Sequence, residues 1–162
     1  MTELLIEQLV KKKPTVKDKL IKVGLIALTA VSFIPAVLFP YVIWLTMILV
    51  ILDYILIKKL DVEYEYIYFN GDLDIDKIMS KEMRKRMFST TIKEMEILAP
   101  TGSDAAMRVQ HIKAIDLSTC NPENKTYEMV TMFKGEKVRL IFEPNEQMLN
   151  AIRDMAPRKV IF

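Results

Sequence analysis

The chain contains one cysteine, one histidine and four glycines, and between residues 23 and 52 it carries no Asp, Glu, Lys, Arg or His. Each shortage excludes something. A single cysteine, Cys120, cannot form an internal disulfide, which permits a reducing compartment. It also has no basic neighbour in sequence to stabilise a thiolate. His111 has no second histidine with which to bind a metal, so both residues read as surface or packing positions. Gly24, Gly71, Gly102 and Gly135 are too widely separated to form a phosphate-cradling loop. No catalytic residue, metal site or cofactor is expected.

The missing charge is the most informative absence. As one helix the 23–52 run would extend ~45 Å, well beyond the ~30 Å hydrocarbon core of a bilayer, and Pro35 and Pro40 interrupt it. Two shorter spans fit better, over residues 20–38 and 41–59. Pro40 suits the corner at Phe39-Pro40-Tyr41, because it lacks an N–H and disfavours a helical residue before it. Pro35 should kink the first span near its outer end, with Ser32 or a neighbouring helix helping to satisfy the carbonyl it frees. A cleaved signal peptide fits poorly, since its apolar region is only about 7–15 residues long.

Charge is unevenly divided. Residues 1–60 hold eight lysines and four acids, whereas residues 61–162 hold fifteen basic and seventeen acidic residues. Lys11, Lys12, Lys13, Lys17, Lys19 and Lys22 precede the apolar run, and Lys58 and Lys59 follow it. Basic flanks prefer the cytoplasm, so a double crossing with both termini cytoplasmic is expected, in a multi-pass cell-membrane protein. Asp53 is the one acid inside the second span. It reads either as an interfacial residue or as a working polar position within the membrane.

Before the spans, Leu5, Ile6, Leu9 and Val10 share one helical face. An amphipathic interfacial helix over residues 1–14 is therefore expected, lying on an anionic leaflet or packed on the protein's own soluble domain. Pro14 ends it, and Thr15-Val16-Lys17-Asp18 has the form of a capping box at the start of the hairpin, residues 15–60.

After Lys59 the pattern alternates. Tyr64, Tyr66 and Tyr68 form one face of a strand, Asn70-Gly71 signals a tight hairpin, and Leu73 and Ile75 continue the same face between Asp72, Asp74 and Asp76. A two-residue loop pairs Phe69 with Asp72, Ile67 with Asp74 and Glu65 with Asp76. Residues 76–88 also match a helical stripe, although a strand over 84–92 is preferred. Further strands are expected over 94–98, 115–120, 126–133 and 137–142, with a loop over 99–103 and a helical turn over 104–110. Asn145 should cap a final helix with Met148, Leu149, Ile152 and Met155 on its inner face, stopped by Pro157.

About seven strands followed by one helix resembles the pleckstrin-homology-like barrel. More narrowly, the chain resembles a family of uncharacterised small bacterial membrane proteins from Firmicutes, with a transmembrane hairpin followed by such a domain. The resemblance rests on Val62-Glu63-Tyr64-Glu65-Tyr66, Asn70-Gly71-Asp72-Leu73-Asp74-Ile75-Asp76-Lys77-Ile78, Arg84-Lys85-Arg86, Ile97-Leu98-Ala99-Pro100, Phe142-Glu143-Pro144 and Ala156-Pro157-Arg158-Lys159-Val160. It implies an α+β membrane protein: a helical hairpin plus a small β-barrel closed by a C-terminal helix, with the barrel domain cytoplasmic over residues 61–162. It implies architecture and no chemistry.

Asp72, Asp74 and Asp76 open like a calcium loop, but Lys77 and Met83 stand where that loop needs Gly and Glu. Glu65 opposite Asp76 is a like-charge pair that calls for a nearby cation, which Arg84, Lys85 and Arg86 on the next strand could supply; a partner-binding acidic patch is the alternative. With Lys81, these three basic residues are also the candidate patch for anionic lipid headgroups. The net negative charge after the hairpin argues against nucleic acid. The expected partners are the bilayer and a protein. Two functions follow: a non-catalytic membrane-anchored interaction module, or an accessory subunit of a membrane complex or transporter that works through Asp53.

Overall fold

The computed structural model describes residues 4–161. Its first element overturns an expectation. Leu5–Lys11 is a strand, β1, and not an interfacial helix. The Thr2 end of the expected helix lies outside the described residues. The apolar residues at 5, 6, 9 and 10 satisfy either period, and β1 settles the choice by pairing antiparallel with β2 (Val62–Phe69) from Leu5↔Phe69 to Lys11↔Glu63. Ile6 and Val10 then point into the core, while Leu5 and Leu9 remain exposed.

Between β1 and β2 stand α1 (Val16–Leu38), a 3₁₀ turn at Pro40–Val42 and α2 (Ile43–Lys59). The capping signal is realised, because the Thr15 N–H donates to the Asp18 carboxylate at 2.9 Å. The helical hairpin thus occupies the place of the first β-turn, and the sheet domain includes chain from both sides of it.

From β2 the chain continues through β3 (Asp72–Met79) and β4 (Met83–Thr91), completing an antiparallel sheet in the order β1-β2-β3-β4. The pairing predicted across Asn70-Gly71 is the one observed, including Glu65↔Asp76. Asn70 and Gly71 both have positive φ, 47° and 99°, as the tight hairpin turn requires. The helical reading of 76–88 fails because β3 runs on to Met79 and β4 starts at Met83.

The second sheet contains β5 (Ile97–Pro100), β6 (Ala114–Asp116), β7 (Tyr127–Phe133) and β8 (Glu136–Phe142), ordered β5-β7-β8-β6. β6 lies parallel to β8 and the other pairs are antiparallel. β5 includes Ala99 and Pro100, which had read as loop, and β6 ends at Asp116, short of Cys120. A one-turn helix, α3 (Asp104–Arg108), connects β5 to β6. The final helix, α4 (Glu146–Met155), begins as expected, with the Met148 N–H donating to Asn145 Oδ1 at 2.8 Å.

The two sheets enclose one core. Tyr66 meets Phe142 edge-on at 5.8 Å, Phe88 stacks on Phe133 at 4.6 Å, and Met148 and Ile152 of α4 are fully buried beside them. The expected closed barrel is corrected to two separate four-stranded sheets. Side chains bridge the corners where a backbone ladder would close a barrel. At one corner the Thr90 and Thr131 hydroxyls share a hydrogen bond of 2.7 Å. At the other, Gln8 donates to the Glu143 carbonyl at 2.8 Å and accepts from the Asn145 N–H at 2.7 Å.

Candidate functional site

The hairpin has an inverted polarity. Within residues 20–57 its less exposed residues are Leu25, Thr29, Ser32 and Ala36 on α1 and Val42, Thr46, Leu49, Asp53 and Ile57 in the 3₁₀ turn and α2. Their spacings of three and four define one inner seam per helix, and that seam is small or hydroxyl-bearing at its centre. Every large side chain outside the seam points away, as Ile34, Val37, Trp44 and Tyr54 do.

Asp53 belongs to this seam. The Thr29 hydroxyl donates to its Oδ2 at 2.6 Å, which makes Asp53 a polar clasp between the two helices. One turn outward, Thr46 Oγ1 donates to the Ser32 carbonyl at 3.3 Å. The Ser32 hydroxyl donates to the Thr29 carbonyl at 2.7 Å, so it does not cover the carbonyl that Pro35 frees, as had been expected. α1 continues through Pro35 to Leu38.

The hairpin is fixed at its roots to the start of β2, to the segment after β6 and to the β3–β4 turn. The Lys12 N–H donates to the Val62 carbonyl at 3.0 Å and the Lys13 N–H to the Thr119 carbonyl at 2.7 Å. Thr119 is itself held by the buried Glu143, whose carboxylate accepts from the Thr119 N–H and hydroxyl and from Asn124 Nδ2. At the other root, Ser80 Oγ donates to the Lys58 carbonyl at 2.7 Å, the Ser80 N–H donates to the Asp61 carbonyl, and Lys58 pairs with Glu82 at 2.7 Å. Ser80 and Lys81 both adopt φ of 59°, a left-handed conformation that costs non-glycine residues roughly 1–2 kcal/mol each. The bonds to Lys58 and Asp61 help to hold that turn against the base of α2.

The predicted basic patch splits. Arg84 pairs with Glu65 at 2.7 Å, and Arg86 pairs with Asp74 at 2.6 Å and Asp76 at 2.9 Å. The Asp76 hydrogen bond and the neighbouring Asp74 push the Arg86 guanidinium pKa up, keeping it charged. β4 therefore supplies the cations called for beside the Glu65–Asp76 pair, and Asp76 itself is buried. A register shift between Ile75 and Asp76 passes over Met87 and brings Arg86 opposite Asp76. Lys85 opposes Lys77 on the other face of β4, and Lys81 lies in the β3–β4 turn, so the four residues do not form one surface. His111 and Cys120 are both exposed. Among the described residues, no group of three or more His, Cys, Asp or Glu side chains could hold a metal.

Sequence reasoning missed the cavity between the two roots, of about 530 Å³, bordered by Lys12, Lys19, Lys22, Ile57 and Leu60. The lysines were visible, but their convergence depends on β1 pairing with β2.

A hairpin with small and polar residues inside and apolar residues outside is spliced into the first turn of a two-sheet domain backed by a helix. This defines a pleckstrin-homology-like domain that carries two apolar helices. Residues 2–162 match the family described as Bacterial PH-like domain (DUF6106), and the chain belongs to that family. No curated protein and no solved structure matches the chain.

Proposed function

We propose that the chain is a non-catalytic interaction module, anchored in the cell membrane by the hairpin and presenting its PH-like domain at the cytoplasmic surface. The carrying observation is the hairpin's surface. The most apolar windows of α1 and of the Pro40–Lys59 segment are only 6% and 11% buried, whereas a core helix of a water-soluble protein would be mostly covered. At 23 and 20 residues the two segments reach ~30 Å or more at 1.5 Å per residue, enough for a hydrocarbon core.

The splice supports a two-span topology independently of the charge rule. Lys11 pairs with Glu63, so both ends of the inserted segment meet within one rung of a β-ladder, roughly 5 Å apart. Ends so close emerge on the same side of whatever the hairpin crosses. The lysines gather at those ends, while the corner at residues 39–41 is uncharged, and this bias favours the cytoplasm for the sheets and both termini. The proposed partner is a protein, met through a sheet edge or the outer face of α4. The alternative, an accessory subunit acting through Asp53, gains no specific support, because the Asp53 carboxylate already accepts a bond within the hairpin.

Single cysteines at Glu7, Pro40 and Lys125 in a Cys120→Ser background, labelled in intact cells with an impermeant maleimide, test the arrangement. Labelling at Pro40 alone is expected. Labelling at Glu7 or Lys125 would place the domain outside and overturn the proposal.

A further inference from the structure

Eight lysines crowd the roots of the hairpin, yet their neighbours differ. Lys11 pairs with Asp61 at 2.9 Å and Lys58 with Glu82 at 2.7 Å. Lys12, Lys19 and Lys22 make no ion pair among the described residues, and all three border the 530 Å³ cavity between the base of the two helices and the start of β2. Of the two acids that reach this cavity, Asp61 holds Lys11, and Asp18, which accepts from the Thr15 N–H, keeps its charge near Lys12, so three lysines outside any ion pair face one carboxylate. The cavity thus has surplus positive charge. Ile57 and Leu60 add an apolar lining at the base of α2, beside the exposed Ile55 and Leu56.

A cationic pocket opening onto an apolar helix suits a ligand with an anionic head and a hydrocarbon tail. The β4 patch does not offer this, because Arg84 and Arg86 are occupied by Glu65, Asp74 and Asp76. We infer that the cavity at the hairpin's roots binds the phosphate of an anionic phospholipid through Lys12, Lys19 and Lys22, with the acyl chains lying along α2. This rests on the membrane-anchored reading. The bound lipid would join α1, α2 and the sheets at their common junction, and would set the angle at which the domain faces the surface.

The test uses the full chain in bilayer nanodiscs of phosphatidylcholine and phosphatidylglycerol, with spin-labelled versions of each lipid reporting association by electron paramagnetic resonance. Phosphatidylglycerol should be preferred by about fivefold or more, the factor one basic residue supplies close to a charged membrane surface. Lys12→Gln/Lys19→Gln/Lys22→Gln should bring the preference close to one, the corresponding triple Arg variant should retain it, and Lys81→Gln/Lys85→Gln should not alter it. Unchanged circular dichroism of the triple Gln variant would show that the loss is not unfolding. Absence of a preference in the wild type, or its loss only with the β4-side pair, overturns the inference. Displacement of the labelled lipid by soluble glycerol phosphate also overturns it, by assigning the site to a free phosphate. Alkaline extraction of the protein from vesicles of the same lipids separates the two levels. Release would refute the anchoring itself, while retention without lipid preference would refute only the site.

Discussion

If the hairpin replaces a β-turn, it should be removable, and the domain should survive its loss but not the loss of β1. Two shortened chains make the comparison. In one, residues 13–61 are replaced by Asn-Gly, so that Lys12 and Val62, already joined by a 3.0 Å backbone bond, close an ordinary two-residue hairpin. The other is residues 61–162, the domain as its boundary reads in the sequence. The second lacks Ile6 and Val10, which are 3% and 9% exposed, and burial of two such side chains contributes about 3–6 kcal/mol. It also lacks Gln8, which bridges the sheets through two hydrogen bonds of about 1 kcal/mol each. Ordering β1 costs entropy that offsets part of this gain, so a net loss of at least about 3 kcal/mol is expected, from a total of about 5–15 kcal/mol for a domain. The loop-closed chain loses only the root contacts, chiefly the Lys13–Thr119, Ser80–Lys58 and Ser80–Asp61 bonds and the exposed Lys11–Asp61 and Lys58–Glu82 pairs. Urea unfolding in detergent-free buffer, followed by circular dichroism, should give a cooperative transition for the loop-closed chain and a much lower midpoint or none for 61–162. Equal midpoints would refute the integral role of β1.

Arg139 and Glu128, side chains 13% and 4% exposed, pair at 2.8 Å across β7 and β8, and Arg139 Nε has no hydrogen-bond partner among the described residues. Arg139→Leu should therefore cost about 3–5 kcal/mol in urea unfolding of the loop-closed chain, because it leaves a buried carboxylate uncompensated, and adding Glu128→Leu should restore most of it. Burial raises the pKa values of the Tyr64, Tyr66 and Tyr68 phenols, and most strongly that of Tyr66, whose hydroxyl donates to the Leu117 carbonyl at 2.7 Å. Their contribution is thus complete below the unfolded tyrosine pKa of about 10 and is lost as pH rises through the folded values. In the loop-closed chain with Tyr127→Phe, where Tyr64, Tyr66 and Tyr68 are the tyrosines left, tyrosinate absorbance should accordingly rise together with alkaline unfolding; ionisation near pH 10, about the unperturbed value, in an intact fold would contradict this. In the hairpin, Asp53→Leu removes the bond from Thr29 and should weaken helix–helix association by about 0.6–2 kcal/mol in a steric-trapping measurement in bicelles, with Asp53→Asn nearly neutral.

Much of the architecture is legible in local pattern. The two helices follow from a run without charge, the β2–β3 register from alternation around Asn70-Gly71, and the start of α4 from Asn145. These features depend on residues close together in the chain. The neutralisation of Asp74 and Asp76 by Arg86 was also legible, because a hairpin places adjacent strands side by side. The failures occurred where distant segments compete. Leu5, Ile6, Leu9 and Val10 fit a helix and a strand equally well, and nothing within residues 1–14 reveals that β2, fifty residues later, offers an open edge.

By itself, then, the sequence determined the apolar hairpin, the basic charge at its roots and the strand-rich remainder, because composition and short-range periodicity carry that information. Only the tertiary structure decided that the hairpin lies inside the sheet domain, that Asp53 faces Thr29, and that Lys12, Lys19 and Lys22 surround one cavity. Each of these depends on backbone pairing or helix packing between residues far apart in the chain, and such contacts leave no periodicity in the sequence around either partner.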